Sequence, residues 1–226
     1  MCDVVSTSSS ARSITARVFL SGLVTKRIAA CVVVSLMAVT AAKAQSPIPV
    51  GIPSERFNFV AAAQQADQWC WAASVQMILN WYGIGVSQEM VVARTKHVLI
   101  DQAGSDFDIS NALSGWAVTT NGVPVTIRSM AAPGLPQPAV LINELSQGHP
   151  ILLTFATGMY SGHAVVITAA SYLPTRFGPQ VVSLVIRDPW PSPDHVATSG
   201  RVEIDGWALS RFVPLVRNHW LVSVSR

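Results

Sequence analysis

The apolar positions from Trp69 onward repeat with a helical period. Ala72, Val75, Leu79 and Tyr82 fall at i, i+3, i+7 and i+10, Ala73 and Ile78 widen the stripe, and Gly83 stops it. The pattern predicts a buried helix with Cys70 at or just before its N-terminus. A second helix is predicted from Ser87 as N-cap, with Glu89 in its first turn, running toward His97. A third starts at Asp108 or Ser110 and carries Ile109, Leu113 and Trp116, and a fourth spans Pro138 to Gln147 with Gly148 as its stop. The period then changes. Pro150 to Ala156, His163 to Tyr172 and Val181 to Arg187 are β-branched or apolar runs separated by Gly, Ser and Pro, and Trp220 to Val224 is a further strand. Helices first and strands later predict an α+β architecture rather than alternating βαβ units.

The start of the chain fits neither pattern. Arg12, Arg17, Lys26 and Arg27 form a basic lead to an apolar run from Ile28 to Ala42, broken only by Ser35 and Thr40. The run ends at Ala42-Lys43-Ala44, a small-x-small site suited to signal peptidase. Its length is about 15 residues, against the ~20 that a spanning helix needs. Residues 1–44 are therefore expected to be a signal peptide, and the mature chain secreted or periplasmic. The alternative is a retained N-terminal anchor, which the unusual length of the basic lead keeps open. No later stretch is long and apolar enough to span a bilayer, so no stable membrane association is expected after cleavage. Residues 45–59, Pro-rich at their start and without clear period, read as an arm or linker. Residues 60–226 read as one domain, large enough for a core without disulfides.

Removing the leader changes the charge and the cysteine count. Five of the 15 basic residues and one of the 12 acidic residues lie in 1–44, which leaves ten against eleven and a net charge near −1. The basicity belongs to the leader and gives no support to nucleic-acid binding. Of the three cysteines, Cys2 and Cys31 leave with it. Cys70 remains alone, and a lone thiol in an oxidising compartment is a liability unless it is buried or used.

Both possibilities exist for Cys70. Most free cysteines are small buried apolar residues. This one lies between Trp69 and Trp71 at a predicted helix start, where unpaired N–H groups and the dipole stabilise a thiolate. Acyl transfer also needs donors for the developing oxyanion. Gln64, six residues before the thiol, would serve with the Cys70 N–H, and Gln65 and Gln68 are the neighbouring alternatives. Of the five histidines, His163 alone opens a buried-looking strand, whereas His97, His149, His195 and His219 sit in surface or turn contexts. A base also needs a group that orients its ring. Asp188 ends the strand Val181–Arg187 beside Pro189-Trp190-Pro191, where Trp190 could shield it. Trp69, Trp71 and Trp190 are candidates for the substrate groove. With no CxxC, no HExxH and scattered histidines, no metal or cofactor is expected.

Three segments, Gln64 to Gly83 (Q-x5-C-W-A-A and an apolar helix ending W-Y-G), Ser161 to Ile167, and Arg187-Asp188-Pro189-Trp190, resemble the papain-like cysteine peptidases. They are similar above all to two bacterial branches: secreted avirulence-type effector peptidases and peptidases that cleave double-glycine leaders. The resemblance runs from about residue 60 to the C-terminus. It implies a helical lobe bearing the nucleophile Cys70, packed on an antiparallel β lobe bearing His163 and Asp188, with the cleft between them and Gln64 as oxyanion donor. The chain departs from plant and lysosomal members. It lacks their extra cysteine and the glycines flanking the nucleophile, it has Asp for their usual Asn, and its 45–59 arm is too short to resemble their long inhibitory propeptides. The expected function is hydrolysis of peptide or protein substrates through a Cys-His-Asp triad and an acyl-enzyme. A thiol acyltransferase or amidase on the same triad, or an inactive peptide-binding module, are the alternatives.

Overall fold

The computed structural model describes residues 45–225, so the expected signal segment 1–44 lies outside the described residues. In chain order the elements are β1 (Ile48–Gly51), α1 (Ser54–Phe57), α2 (Cys70–Trp81), α3 (Gln88–Lys96), α4 (Asp106–Ala112), β2 (Thr126–Pro133), α5 (Pro138–Ser146), β3 (Ile151–Ala156), β4 (Gly162–Thr175), β5 (Gly178–Arg187), α6 (His195–Thr198), β6 (Arg201–Asp205), α7 (Gly206–Phe212) and β7 (Val216–Ser225). The strands form one antiparallel sheet ordered β2-β7-β3-β4-β5-β6, and β1 adds to β4. This is the α+β arrangement that the change of period implied.

Period-2 geometry explains why β3 and β4 read as unbroken apolar runs. Leu152, Ala164, Val166 and Trp220 face one layer of helices, where they join Trp71, Val75, Ile78 and Leu79 of α2. Ile151, Leu153, Val165 and Ile167 face the other layer, with Leu141 and Leu145 of α5 and Leu209 and Phe212 of α7. Both faces are covered, so both sets of positions must be apolar.

Local signals fix the helix ends. Gly83, at φ +81°, takes the left-handed conformation just after α2. Ser87 caps α3 by accepting from the Met90 N–H at 3.2 Å. The third predicted helix starts earlier than Asp108 or Ser110. Ser105 caps it, and Asp108 closes a capping box by accepting from the Ser105 N–H, so Asp108 is the third residue of α4 and not its first.

Residues 45–59 are not a linker. Ile48–Gly51 pair with Ala169–Tyr172 of β4, and the Ile52 N–H donates to the Thr168 carbonyl at 2.8 Å. Phe57 is fully buried against Trp81. The prolines do not prevent this, because a strand at a sheet margin need not donate from every residue. The strands β2 and β6 also escaped the sequence reading. They are the two ends of the sheet, mostly exposed along their length, so no buried alternation marks them.

Candidate active site

Cys70 is the first residue of α2 and a free, half-buried thiol. The residue before it, Trp69, has φ −97° and ψ 19°, and no side chain caps the helix. The leading N–H groups of α2 and the positive end of its dipole are thus left for whatever sits beside Cys70. The approach to this position is tightly held. The Trp69 indole donates to the Ile100 carbonyl (2.9 Å), that of Trp71 to the Gln102 carbonyl (3.1 Å), and the Gln68 N–H to Asp101 (2.8 Å). Buried Gln88 accepts from the Gln65 N–H and donates to the Ala63 carbonyl.

His163 is the second residue of β4, opposite Phe155 of β3, whose ring meets it edge-on at 5.7 Å. Its Nε2 donates to Asp188 Oδ1 at 2.7 Å, which leaves Nδ1 as the nitrogen available to Cys70. Burial alone would depress the imidazolium. Hydrogen bonds to Asp188 and Cys70, with the charges of both, outweigh it and raise the His163 pKa from 6.5 to about 9. Asp188 follows the last residue of β5. Burial pushes its carboxyl up, but the bond from His163 and another from the Trp190 N–H (2.8 Å) hold it below the usual carboxylate range.

Next to Asp188 lies a residue that the sequence reading missed. Arg187 is fully buried and has no carboxylate partner among the described residues. Its guanidinium donates to the carbonyls of Thr198, Ser199 and Ser54, each at 3.1 Å, and lies over Phe57. It thus ties the end of β5 to α1 and to the loop that follows α6. Nothing in its local sequence marks this, since a strand-end arginine is normally a surface residue.

The structure brings Cys70 and His163 together in a cleft of about 310 Å³, with Asp188 behind the ring. It places Gln64 differently from the expected oxyanion donor. Gln64 is 7% exposed, and its amide nitrogen donates to the carbonyls of Ala66 (3.0 Å) and Asp67 (2.8 Å), so both amide hydrogens are spent within the loop. Its backbone N–H donates to the Pro189 carbonyl at 2.7 Å, joining the loop of the cysteine to that of Asp188. Gln68 is the glutamine that lines the cleft. Trp71 also lines it, Trp69 is used in holding the 100–102 loop, and Trp190 lines a separate hollow with Asp188 and His195. The remaining cleft wall includes Asp106, Tyr160 and Arg217, none of which had a sequence signal.

The family model described as papain-like cysteine protease AvrRpt2 matches residues 53–200. No curated protein matches the chain. Among solved structures, the peptidase domain of Streptococcus ComA, a bi-functional ABC transporter involved in quorum sensing, is 16% identical. It covers 72% of this chain and 96% of its own, with a TM-score of 0.47. A double glycine motif protease from an AMS/PCAT transporter, in complex with the leader peptide, is 16% identical over 79% of this chain and 100% of its own (TM-score 0.45). Recombinant stem bromelain precursor is 16% identical over 79% of this chain and 75% of its own (TM-score 0.44).

Proposed function

This chain belongs to the papain-like cysteine proteases of the AvrRpt2 family, and on that premise we propose that it cuts peptide bonds through Cys70, His163 and Asp188 after export. The observation that carries this reading is one line of contacts: an uncapped helix start at Cys70, a histidine in the same cleft, and a 2.7 Å bond from that histidine to Asp188. In the first half-reaction the Cys70 thiolate attacks the scissile carbonyl carbon. The carbonyl oxygen takes the electron pair, held by the Cys70 N–H and a glutamine amide. The C–N bond then breaks, and the His163 imidazolium gives its proton to the leaving amine. In the second, neutral His163 takes a proton from water, whose oxygen attacks the thioester; the acid leaves and the thiolate–imidazolium pair returns. Asp188 orients the ring and supports its charge. For Gln64 to take the oxyanion role, its amide must exchange one of its two loop bonds for the oxyanion when substrate arrives.

Labelling with an epoxide inhibitor of papain-like enzymes, located by mass spectrometry, tests the nucleophile; the adduct is expected on Cys70 in wild type and sharply reduced in His163→Ala. Equal labelling of the two would remove the ion pair and with it this mechanism. In the same assay series Gln64→Ala is expected to lower turnover by roughly 10²–10³-fold with the fold intact. Full activity in Gln64→Ala together with loss in Gln68→Ala would move the oxyanion role to the glutamine in the cleft.

A further inference from the structure

The cleft contains a positive charge that the proposed chemistry does not use. Arg217 lies beyond the 53–200 segment that the family model matches. Along β7 the pairing with β3 runs Leu153↔His219, Thr154↔Asn218, then slips to Phe155↔Val216, so Arg217 has no partner residue. It is the extra residue of a β-bulge, a device that re-aims a side chain. Here it puts the guanidinium in the cleft with Cys70 and His163. Nη2 donates to the Ser161 carbonyl at 3.0 Å and reaches the Gly158 carbonyl at 3.5 Å. Nη1 lies against Gly162. A Cβ added there would stand 3.2 Å from Nη1 and 3.2 Å from the Phe155 carbonyl. Glycine at 162 therefore makes room for the guanidinium directly before the histidine.

Among the described residues, this charge has no carboxylate partner. The ion pairs among the described residues are Lys96–Asp108, His149–Glu144, His163–Asp188 and Arg201–Glu203. The other charged groups lining the cleft are His163, already paired with Asp188, and Asp106. Asp106 accepts from the Asn218 amide at 2.7 Å and lies in the first turn of α4, and it forms no ion pair with Arg217. An arginine whose Nη2 is pinned by backbone carbonyls, and whose Nε and Nη1 make no hydrogen bond among the described residues, presents a fixed positive charge with N–H donors left for an anion.

We propose that Arg217 is a specificity-determining residue, binding a substrate carboxylate close to the scissile bond. This rests on the cleft being the peptide-binding cleft of the proposed function. The carboxylate can come from an Asp or Glu side chain or from the C-terminus of the peptide. Fixing the turn 157–161 is a structural duty of the same side chain, and a purely structural role would lower the cleavage of all peptides alike.

The test gives wild type, Arg217→Lys, Arg217→Gln and Arg217→Glu a pair of peptide libraries with blocked N-termini. One has amidated C-termini and carries Glu, Gln or Lys at each position in turn; the other has free C-termini and no acidic side chain. Wild type is expected to prefer Glu to Gln at one position by about 10–100-fold in kcat/KM, the range for hydrogen bonds to a charged group. Arg217→Lys should keep part of the preference, Arg217→Gln should lose it, and Arg217→Glu should reverse it toward Lys. A preference for free over amidated C-termini that disappears in Arg217→Gln supports the same site with the terminal carboxylate as its ligand. Cys70-dependent cleavage with neither preference, or with one unchanged in Arg217→Gln, overturns the inference and leaves the proposed function standing. If nothing is cut, the proposed function falls. Equilibrium binding of the same libraries to Cys70→Ala then decides the inference: discrimination lost in Cys70→Ala/Arg217→Gln upholds it, and equal retention overturns it.

Discussion

One imidazole ring connects the two halves of the site. His163 owes its raised pKa to partners that compete with its own burial, so its protonation state reports on both of them. The sign follows from the direction of the shift. The folded protein holds the proton more tightly than the ordinary value of 6.5, so the stability contributed by the charged ring is fully present below about 6.5 and is lost as pH rises through about 9, where the folded ring itself deprotonates. Activity that needs an imidazolium as proton donor should therefore fall on an alkaline limb near pH 9. In Asp188→Asn the carboxylate charge is gone, and that limb should move to lower pH with a partial loss of rate. A kcat/KM profile whose limb is the same in both proteins would show that Asp188 does not support the ring. The residues in this chain of contacts were legible in the sequence because each has an unusual local setting: a lone cysteine at a helix start, a histidine opening an apolar strand, an acid closing another. Gln64 was legible only as a spacing, and spacing says nothing about which acceptors its amide will find.

At the scale of elements, the N-terminal segment shows what local pattern cannot convey. A four-residue strand and a four-residue helix carry too little periodicity to be recognised, yet Phe57 fills a fully buried position between Trp81 and the guanidinium of Arg187. If these residues belong to the fold, Phe57→Ala should cost about 3–5 kcal/mol, as for other buried aromatic truncations. The thermal midpoint should then drop by roughly 2–4 °C per kcal/mol for a protein of this size. A melting curve superimposable on wild type would return the segment to the status of an arm. The edge strands β2 and β6 were hidden for a related reason. Their residues are mostly exposed, so the polar and apolar positions do not sort by face. The cleft walls were hidden for another: Asp106, Tyr160 and Arg217 are brought together by long-range packing, and an isolated arginine in a strand carries no mark of the bulge that will turn it.

For the whole molecule, the proposed leader must be compatible with the fold. The first strand begins at Ile48, so a cut after Ala44 would leave β1 complete with three residues to spare before it. N-terminal sequencing of protein recovered from the medium or periplasm should start near Gln45; recovering only a membrane-bound species with 1–44 intact would favour the anchor instead. The sheet order adds a constraint on timing. β7, which follows every other strand in the chain, is inserted between β2 and β3, and its Trp220 and Val222 complete the layer beneath α2. Until residues 216–225 arrive, β2 has no neighbour and β3 has one bare edge. The decisive pairings therefore close loops of tens of residues or more, a topology that folds late and slowly compared with one built from local contacts. If the chain is exported as proposed, a sheet that cannot be finished early would keep it threadable through a translocation channel, and the cleft would assemble only once residues 216–225 had crossed.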